Sequence, residues 1–148
     1  MLRILFVCHG NICRSPAAAM VMRTLTDHCE IDSAATTYEE IGNDIYPPMR
    51  RAMAARGIPI LPHRARRTDR SDYGRYDYII GMDEENRYDL LRIYRGDPEH
   101  KISLLMEWAG EAREVSDPWY TRDFEGALDD IERGCRGLAE MIRREGEK

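Results

Sequence analysis

Residues 2–7, Leu-Arg-Ile-Leu-Phe-Val, form a short apolar run that stops against a polar stretch, residues 8–15, closed by Pro16. No other stretch limits the fold so tightly. The apolar run has the length and the Ile, Phe and Val content of a buried strand. Beyond Pro16, Ala17-Ala18-Ala19-Met20-Val21-Met22 is strongly helix-forming. Ser15 as N-cap and Pro16 at the first helical position fit a helix start. Val21, Leu25 and Cys29 extend one helical face. A buried strand, a short loop and a helix make the opening of an α/β unit.

The rest of the chain repeats that alternation. Residues 31–35 read as a second strand and 36–47 as an irregular loop. Pro48 opens a short helix over 49–56, which Gly57 ends. Residues 68–73 make a short helix or turn. Residues 76–82 are a third strand, and Asp83 caps a helix running to Tyr94. Residues 101–105 read as a fourth strand and 109–122 as a loop. From Asp123 onward, Phe124, Leu128, Ile131, Cys135, Leu138 and Ile142 recur at helical spacing. Gly134 and Gly137 weaken that helix by about 1 kcal/mol each relative to Ala, so close packing is expected there. The alternation predicts an α/β fold with a mainly parallel sheet. Ligands of such folds sit at the carboxyl ends of strands, which points to the loop after the first.

A length of 148 residues suits a single domain, residues 1–148. The net charge of −5 argues against nucleic acid as a partner. No run of about 18 apolar residues is long enough to span a membrane. Met1-Leu2-Arg3 leads directly into the first strand with no secretory pattern, so a cytoplasmic location is expected. The four cysteines, Cys8, Cys13, Cys29 and Cys135, are then expected to be reduced unless they are chemically active. Their spacing offers no zinc pattern, and no metal is expected. Only Lys101 and Lys148 of the 22 basic residues are lysine.

The loop reads Cys8-His9-Gly10-Asn11-Ile12-Cys13-Arg14-Ser15. A cysteine six residues before an arginine would occur about 0.5 times by chance here, so context carries the signal. Gly10 and Asn11 tolerate positive φ, which lets the loop curl with its N–H groups inward. With the helix N-terminus these form a cradle for a dianion. Arg14 can grip two phosphate oxygens, and the same positive field favours a thiolate at Cys8. Ser15 can hydrogen-bond the sulfur. Phosphoryl transfer to that thiolate needs a proton for the leaving oxygen. Asp117-Pro118-Trp119-Tyr120 supplies a candidate, although an isolated Asp-Pro reads equally as a turn.

With these pieces the chain resembles the low-molecular-weight protein tyrosine phosphatases. Val7-Cys8-His9-Gly10-Asn11-Ile12-Cys13-Arg14-Ser15-Pro16 and Asp117-Pro118-Trp119-Tyr120 carry the resemblance. Ser33-Ala34-Ala35-Thr36, Gly57-Ile58, His63-Arg64-Ala65-Arg66 and Tyr76-Asp77-Tyr78-Ile79-Ile80 with Met82-Asp83 extend it along the chain. The resemblance implies a three-layer α/β fold with a central four-stranded parallel sheet flanked by helices. It implies a cofactor-free, metal-independent hydrolase of phosphotyrosine proteins or peptides, acting through a phosphocysteine. By the same resemblance Cys8 is the nucleophile, Arg14 the phosphate clamp, and Asp117 the acid and then the base. Asn11, Ser15, Ser33 and His63 correspond to a network supporting the loop, which also binds inorganic phosphate or other oxyanions. Cys13 corresponds to the partner of a reversible disulfide with the nucleophile. Trp119 and Tyr120 are expected to wall a slot for an aryl phosphate. The facing wall departs from the family: Tyr38 lies one position early and Glu39 takes the expected aromatic place. Tyr46-Pro47-Pro48-Met49-Arg50 replaces the usual Asp-Pro-Arg.

Other features have plainer readings. His9 adjoins Cys8, but neighbours on a curled loop point apart. Cys29 and Cys135 read as core fillers on helix faces. The arginines at 64, 66, 67 and 70 form either a solvated face or a lure for acidic phosphopeptides. Trp108 reads as packing. An arsenate reductase of this fold needs relay cysteines, and none lies between Cys29 and Cys135. A protein-arginine phosphatase resembles a version with Thr in place of Ile12. A non-catalytic phosphotyrosine-binding module would lose Cys8 or Asp117, and both are present.

Overall fold

The computed structural model describes residues 1–146. Their elements run β1 (Leu2–Cys8), α1 (Arg14–Leu25), β2 (Cys29–Ala35), α2 (Pro47–Ala55), α3 (Arg70–Arg75), β3 (Tyr78–Gly81), α4 (Glu84–Tyr94) and β4 (Ile102–Leu104). A 3-10 turn (Leu105–Ala109), α5 (Pro118–Thr121) and α6 (Phe124–Gly146) complete the described residues. The four strands form one sheet in the order β2-β1-β3-β4, and every neighbouring pair is parallel.

β1 is central because it is apolar on both faces. Ile4, Leu5, Phe6 and Val7 are all fully buried. Each contributes roughly 1.5–3 kcal/mol of transfer free energy. The period-2 alternation of a strand sends them to opposite layers. Ile4 and Phe6 meet α1, α2 and α6, while Leu5 and Val7 meet Leu90 and Tyr94 of α4. This is the three-layer arrangement expected. The pairing runs from Leu2 beside Cys29 to Cys8 beside Ala35, so Cys8 stands at the carboxyl end of the sheet.

Several boundaries differ from the sequence reading, each for a local reason. Helix α1 starts at Arg14, with Cys13 in the cap position and no side-chain cap bond. Ser15 is therefore not the N-cap; its hydroxyl faces the Cys8 sulfur instead. The helix ends at Leu25, where the Thr26 N–H closes on the Met22 carbonyl. Cys29 begins β2 and is only half-buried, so it does not continue the Val21 face. Strand β3 spans four residues rather than seven. Tyr76 and Asp77 precede it, and Met82 turns out to meet Val115. Within the stretch read as a loop, Pro118 and the Asp117 cap build the short helix α5.

Helix α6 packs as its glycines require. A Cβ on Gly137 would overlap the Trp108 carbonyl, and one on Gly134 would strike Leu105. Cys135 is fully buried on this face, its thiol donating toward the Ala18 carbonyl at 3.6 Å. Trp108 packs edge-on to Tyr78, with centroids 5.7 Å apart, and its indole N–H bonds Ser103. Among the described residues no helix is long and apolar enough to cross a membrane.

Candidate active site

The loop between β1 and α1 owes its curl to Asn11, whose φ is +59°. Among non-glycine residues Asn adopts that conformation most readily, and here its bonds fix it. The Asn11 carboxamide donates to Ser15 Oγ at 2.8 Å and to Ser33 Oγ at 2.9 Å. Its Oδ1 accepts from the Arg66 N–H at 3.1 Å. The Asn11 carbonyl accepts from His63 Nε2–H at 2.6 Å, which fixes the histidine tautomer. Asn11 is fully buried, with its side-chain amide and its carbonyl all bonded. Gly10 lies outside the left-handed region, contrary to the sequence reading. Its missing Cβ instead admits the stem of Glu40, which would lie 3.3 Å from one.

This network delivers one hydrogen to the sulfur. Ser15 Oγ already accepts from Asn11, so its own proton has two acceptors left. Cys8 Sγ lies at 3.0 Å and the Ala34 carbonyl at 3.4 Å, which favours the sulfur. The Ser15 N–H also points at Cys8 Sγ, at 3.4 Å. Cys8 is buried at the cleft floor, where the first turn of α1 adds its partial positive charge.

Arg14 reaches the same floor from inside the protein, with 2% of its surface exposed. Its Nη1 donates to Asp83 Oδ2 at 2.8 Å and to the Val115 carbonyl at 2.9 Å, while Nη2 lies 3.4 Å from Asp117 Oδ2. Burial alone would lower its affinity for a proton. The surrounding Cys8, Asp83 and Asp117 outweigh that and hold the guanidinium above its ordinary value, so it stays charged. Asp83 does double duty. Oδ1 caps α4 through the Asn86 N–H at 2.8 Å, and Oδ2 orients Arg14. The sequence reading recognised the cap but not the arginine. Asp83 follows β3 at the sheet's carboxyl end, the one available hint. The Val115 carbonyl left no side-chain signal at all. It is set by a bond from the Val115 N–H to the Met82 carbonyl at 2.9 Å.

Asp117 caps α5, its Oδ1 accepting from the Trp119 N–H at 3.0 Å, which leaves Oδ2 toward the cleft and Arg14. The same short helix presents Trp119 and Tyr120 at the rim. Trp119 is half-exposed and leans on Tyr46, with centroids 5.0 Å apart. Tyr46 belongs to the segment that departs from the family, and its N–H bonds the Ile12 carbonyl at 2.7 Å. That segment therefore braces both the loop and the wall.

The cleft encloses about 120 Å³. Cys8, Cys13 and Arg14 form its floor with His9, Gly10 and Ile12, and Asp117, Trp119 and Tyr120 stand on one side. The other side is formed by Glu39 and Glu40. Tyr38, expected as a wall, is not among the lining residues. Its exposed ring sits under the Arg67 guanidinium, 4.4 Å from the centroid. Of the four clustered arginines, Arg66 pairs with Asp72 at 3.0 Å and Arg67 is spent on Tyr38, so the patch is not one free basic face. His9 Nε2 pairs with Glu39 at 3.0 Å rather than with Cys8. Burial, with Cys8 and Asp117 adding to it, raises the pKa of Cys13 well above the thiol range, so Cys13 keeps its proton.

A buried sulfur under a curled loop, a locked arginine and a facing aspartate, at the carboxyl end of a parallel sheet, are the equipment of a cysteine-dependent phosphatase. The comparisons agree. Residues 3–148 match the model of the low molecular weight phosphotyrosine protein phosphatases, and the chain belongs to that family. It is 40% identical over 151 residues to a low molecular weight phosphotyrosine protein phosphatase of Pongo abelii, covering 93% of each chain. The crystal structure of YfkJ from Bacillus subtilis superposes with a TM-score of 0.92 at 33% identity, over 98% of this chain and 96% of that one. A Drosophila arginine phosphatase superposes with a TM-score of 0.87 at 25% identity, over 95% and 98%.

Proposed function

We propose that this chain, as a single phosphatase domain, hydrolyses phosphotyrosine on proteins or peptides in two steps through a phosphocysteine. The observation that carries this reading is the convergence of Cys8, Arg14 and Asp117 on one cleft, with Ser15 Oγ 3.0 Å from the sulfur. The phosphate dianion settles on the loop N–H groups while Arg14 grips two of its oxygens. The Cys8 thiolate attacks phosphorus, the S–P bond forms and the P–O bond to the ring breaks. Asp117 hands its proton to the departing phenolate. In the second step Asp117 takes a proton from water, whose oxygen attacks phosphorus. Cys8 leaves as a thiolate, stabilised by the Ser15 hydroxyl. Inorganic phosphate is then released from the loop.

The positive charge for this chemistry comes from Arg14 and the backbone, so no metal is required. A cleft of about 120 Å³ is on the scale of the ~150 Å³ cavity that holds one benzene ring. That size, and the Trp119–Tyr120 wall, suit an aryl ester. An arsenate-reducing relay has no support. Cys29 sits beside Leu2 at the far end of the sheet from Cys8, and Cys135 is sealed in the core. The four free thiols accord with a cytoplasmic site of action.

The test is a panel of phosphotyrosine, phosphoarginine and phosphoserine peptides assayed with excess EDTA, with arsenate reduction as a control. Phosphotyrosine turnover unaffected by EDTA is expected. Preferential turnover of phosphoarginine, or loss of activity on chelation, contradicts the reading.

A further inference from the structure

The cleft is charged unevenly. Its floor is cationic through Arg14, yet the wall on the β2 side is two carboxylates, Glu39 and Glu40. Neither points there loosely. The Glu40 stem packs against the open face of Gly10, 3.3 Å from where a Cβ would sit, and its Oε2 accepts from Asn43 Nδ2 at 2.6 Å. Glu39 Oε2 is held by His9 Nε2 at 3.0 Å, and it keeps 65% of its side-chain surface open to solvent. His9 is shared with Glu85, whose carboxylate lies 3.8 Å from Nδ1 and is 70% exposed. Other arginines on this side have partners of their own: Arg67 lies over the Tyr38 ring, Arg122 over Tyr46 and Phe124, and Arg64 donates to the Gly42 carbonyl. No arginine or lysine pairs with Glu39 or Glu40 among the described residues, so their charge faces whatever enters the cleft.

We propose that Glu39 and Glu40 are specificity-determining residues that select phosphotyrosine flanked by lysine or arginine. This rests on the phosphotyrosine reading above. The phosphate occupies the floor, so the residues next to the phosphotyrosine pass over the rim, within reach of these carboxylates. Because both are already positioned, a basic neighbour gains their attraction without ordering them. An acidic neighbour is repelled, which is rejection by like charge as well as selection by opposite charge. The lure for acidic peptides considered for the arginine cluster has the opposite sign, and the cleft wall does not supply it.

The experiment compares kcat/KM at low ionic strength for three short phosphotyrosine peptides, with lysine, alanine or glutamate on both sides. A small aryl phosphate ester reports the underlying reaction. The order lysine, alanine, glutamate is expected, with roughly a threefold to tenfold spread between the extremes, the scale of exposed ion pairs. E39Q/E40Q should collapse that spread, and E39K/E40Q should invert the order. Equal rates for the three peptides in the wild type, or an unchanged spread in E39Q/E40Q, overturn the proposal while ester turnover leaves the phosphatase reading intact. Absence of turnover on ester and peptides alike overturns both.

Discussion

Asn11 shows why a few residues suffice to build this chemistry. Its left-handed backbone is locked by bonds from His63 and the Arg66 N–H and by its own bonds to Ser33 and Ser15, and the lock aims the Ser15 hydroxyl at the sulfur. Ser15→Ala should therefore slow breakdown of the phosphocysteine more than its formation, read as a larger pre-steady-state burst. Asp117→Ala should lower turnover by about 10²–10⁴ for esters with poor leaving groups and far less for activated ones. Leaving-group dependence of kcat checks this, and equal losses contradict the acid role. Asp83→Asn separates its two duties, because Asn also caps helices well. Helix α4 should persist, while Arg14 loses a charge-assisted partner and KM for phosphate esters rises several-fold. The carboxylates and the arginine were legible as residue types. Their pairing was not, since Arg14 and Asp83 lie 69 positions apart and nothing local connects them.

Strand β1, its loop and α1 were the most legible elements because every signal in them is local: an apolar run, a permissive Asn, a Pro in the first turn. Boundaries drifted where a long-range partner competed with a local rule. Ser15 looked like a cap, but the sulfur claims its hydroxyl. Strand β3 looked longer because its apolar run continues past the residues that pair with β1. Helix α5 escaped notice because a four-residue helix capped by Asp117 resembles any Asp-Pro turn. In α6 the sequence signal and the packing agree. Gly137→Ala should raise helix propensity by about 1 kcal/mol yet destabilise the protein overall, by roughly 1–3 kcal/mol, because the methyl meets the Trp108 backbone. Urea unfolding decides the sign, and a more stable variant contradicts the close approach.

The sheet ties these pieces into one arrangement, with the site at the carboxyl ends of β1 and β3 and the core on both faces of β1. That core also sets an alkaline limit. Burial raises the Cys13 and Cys135 thiols, so the native state keeps protons that the unfolded chain releases above the ordinary thiol value of 9.0. Stability from these groups is intact below about pH 9 and falls as pH rises beyond it, by up to about 1.4 kcal/mol per pH unit for each thiol. Cys135→Ala should flatten that fall in urea midpoints measured from pH 7 to 10.5; parallel curves contradict it. The net charge of −5 predicts none of the site's behaviour, which depends on a local cationic floor and a local acidic wall. The central claim is that Cys8 carries the phosphoryl group. Rapid quenching of the Asp117→Ala variant with an activated aryl phosphate, followed by peptide mass mapping, tests it most directly. Phosphate on Cys8 is the expected result, with no adduct and no turnover in Cys8→Ser. Turnover surviving in Cys8→Ser, or phosphate trapped on another residue, would contradict the account.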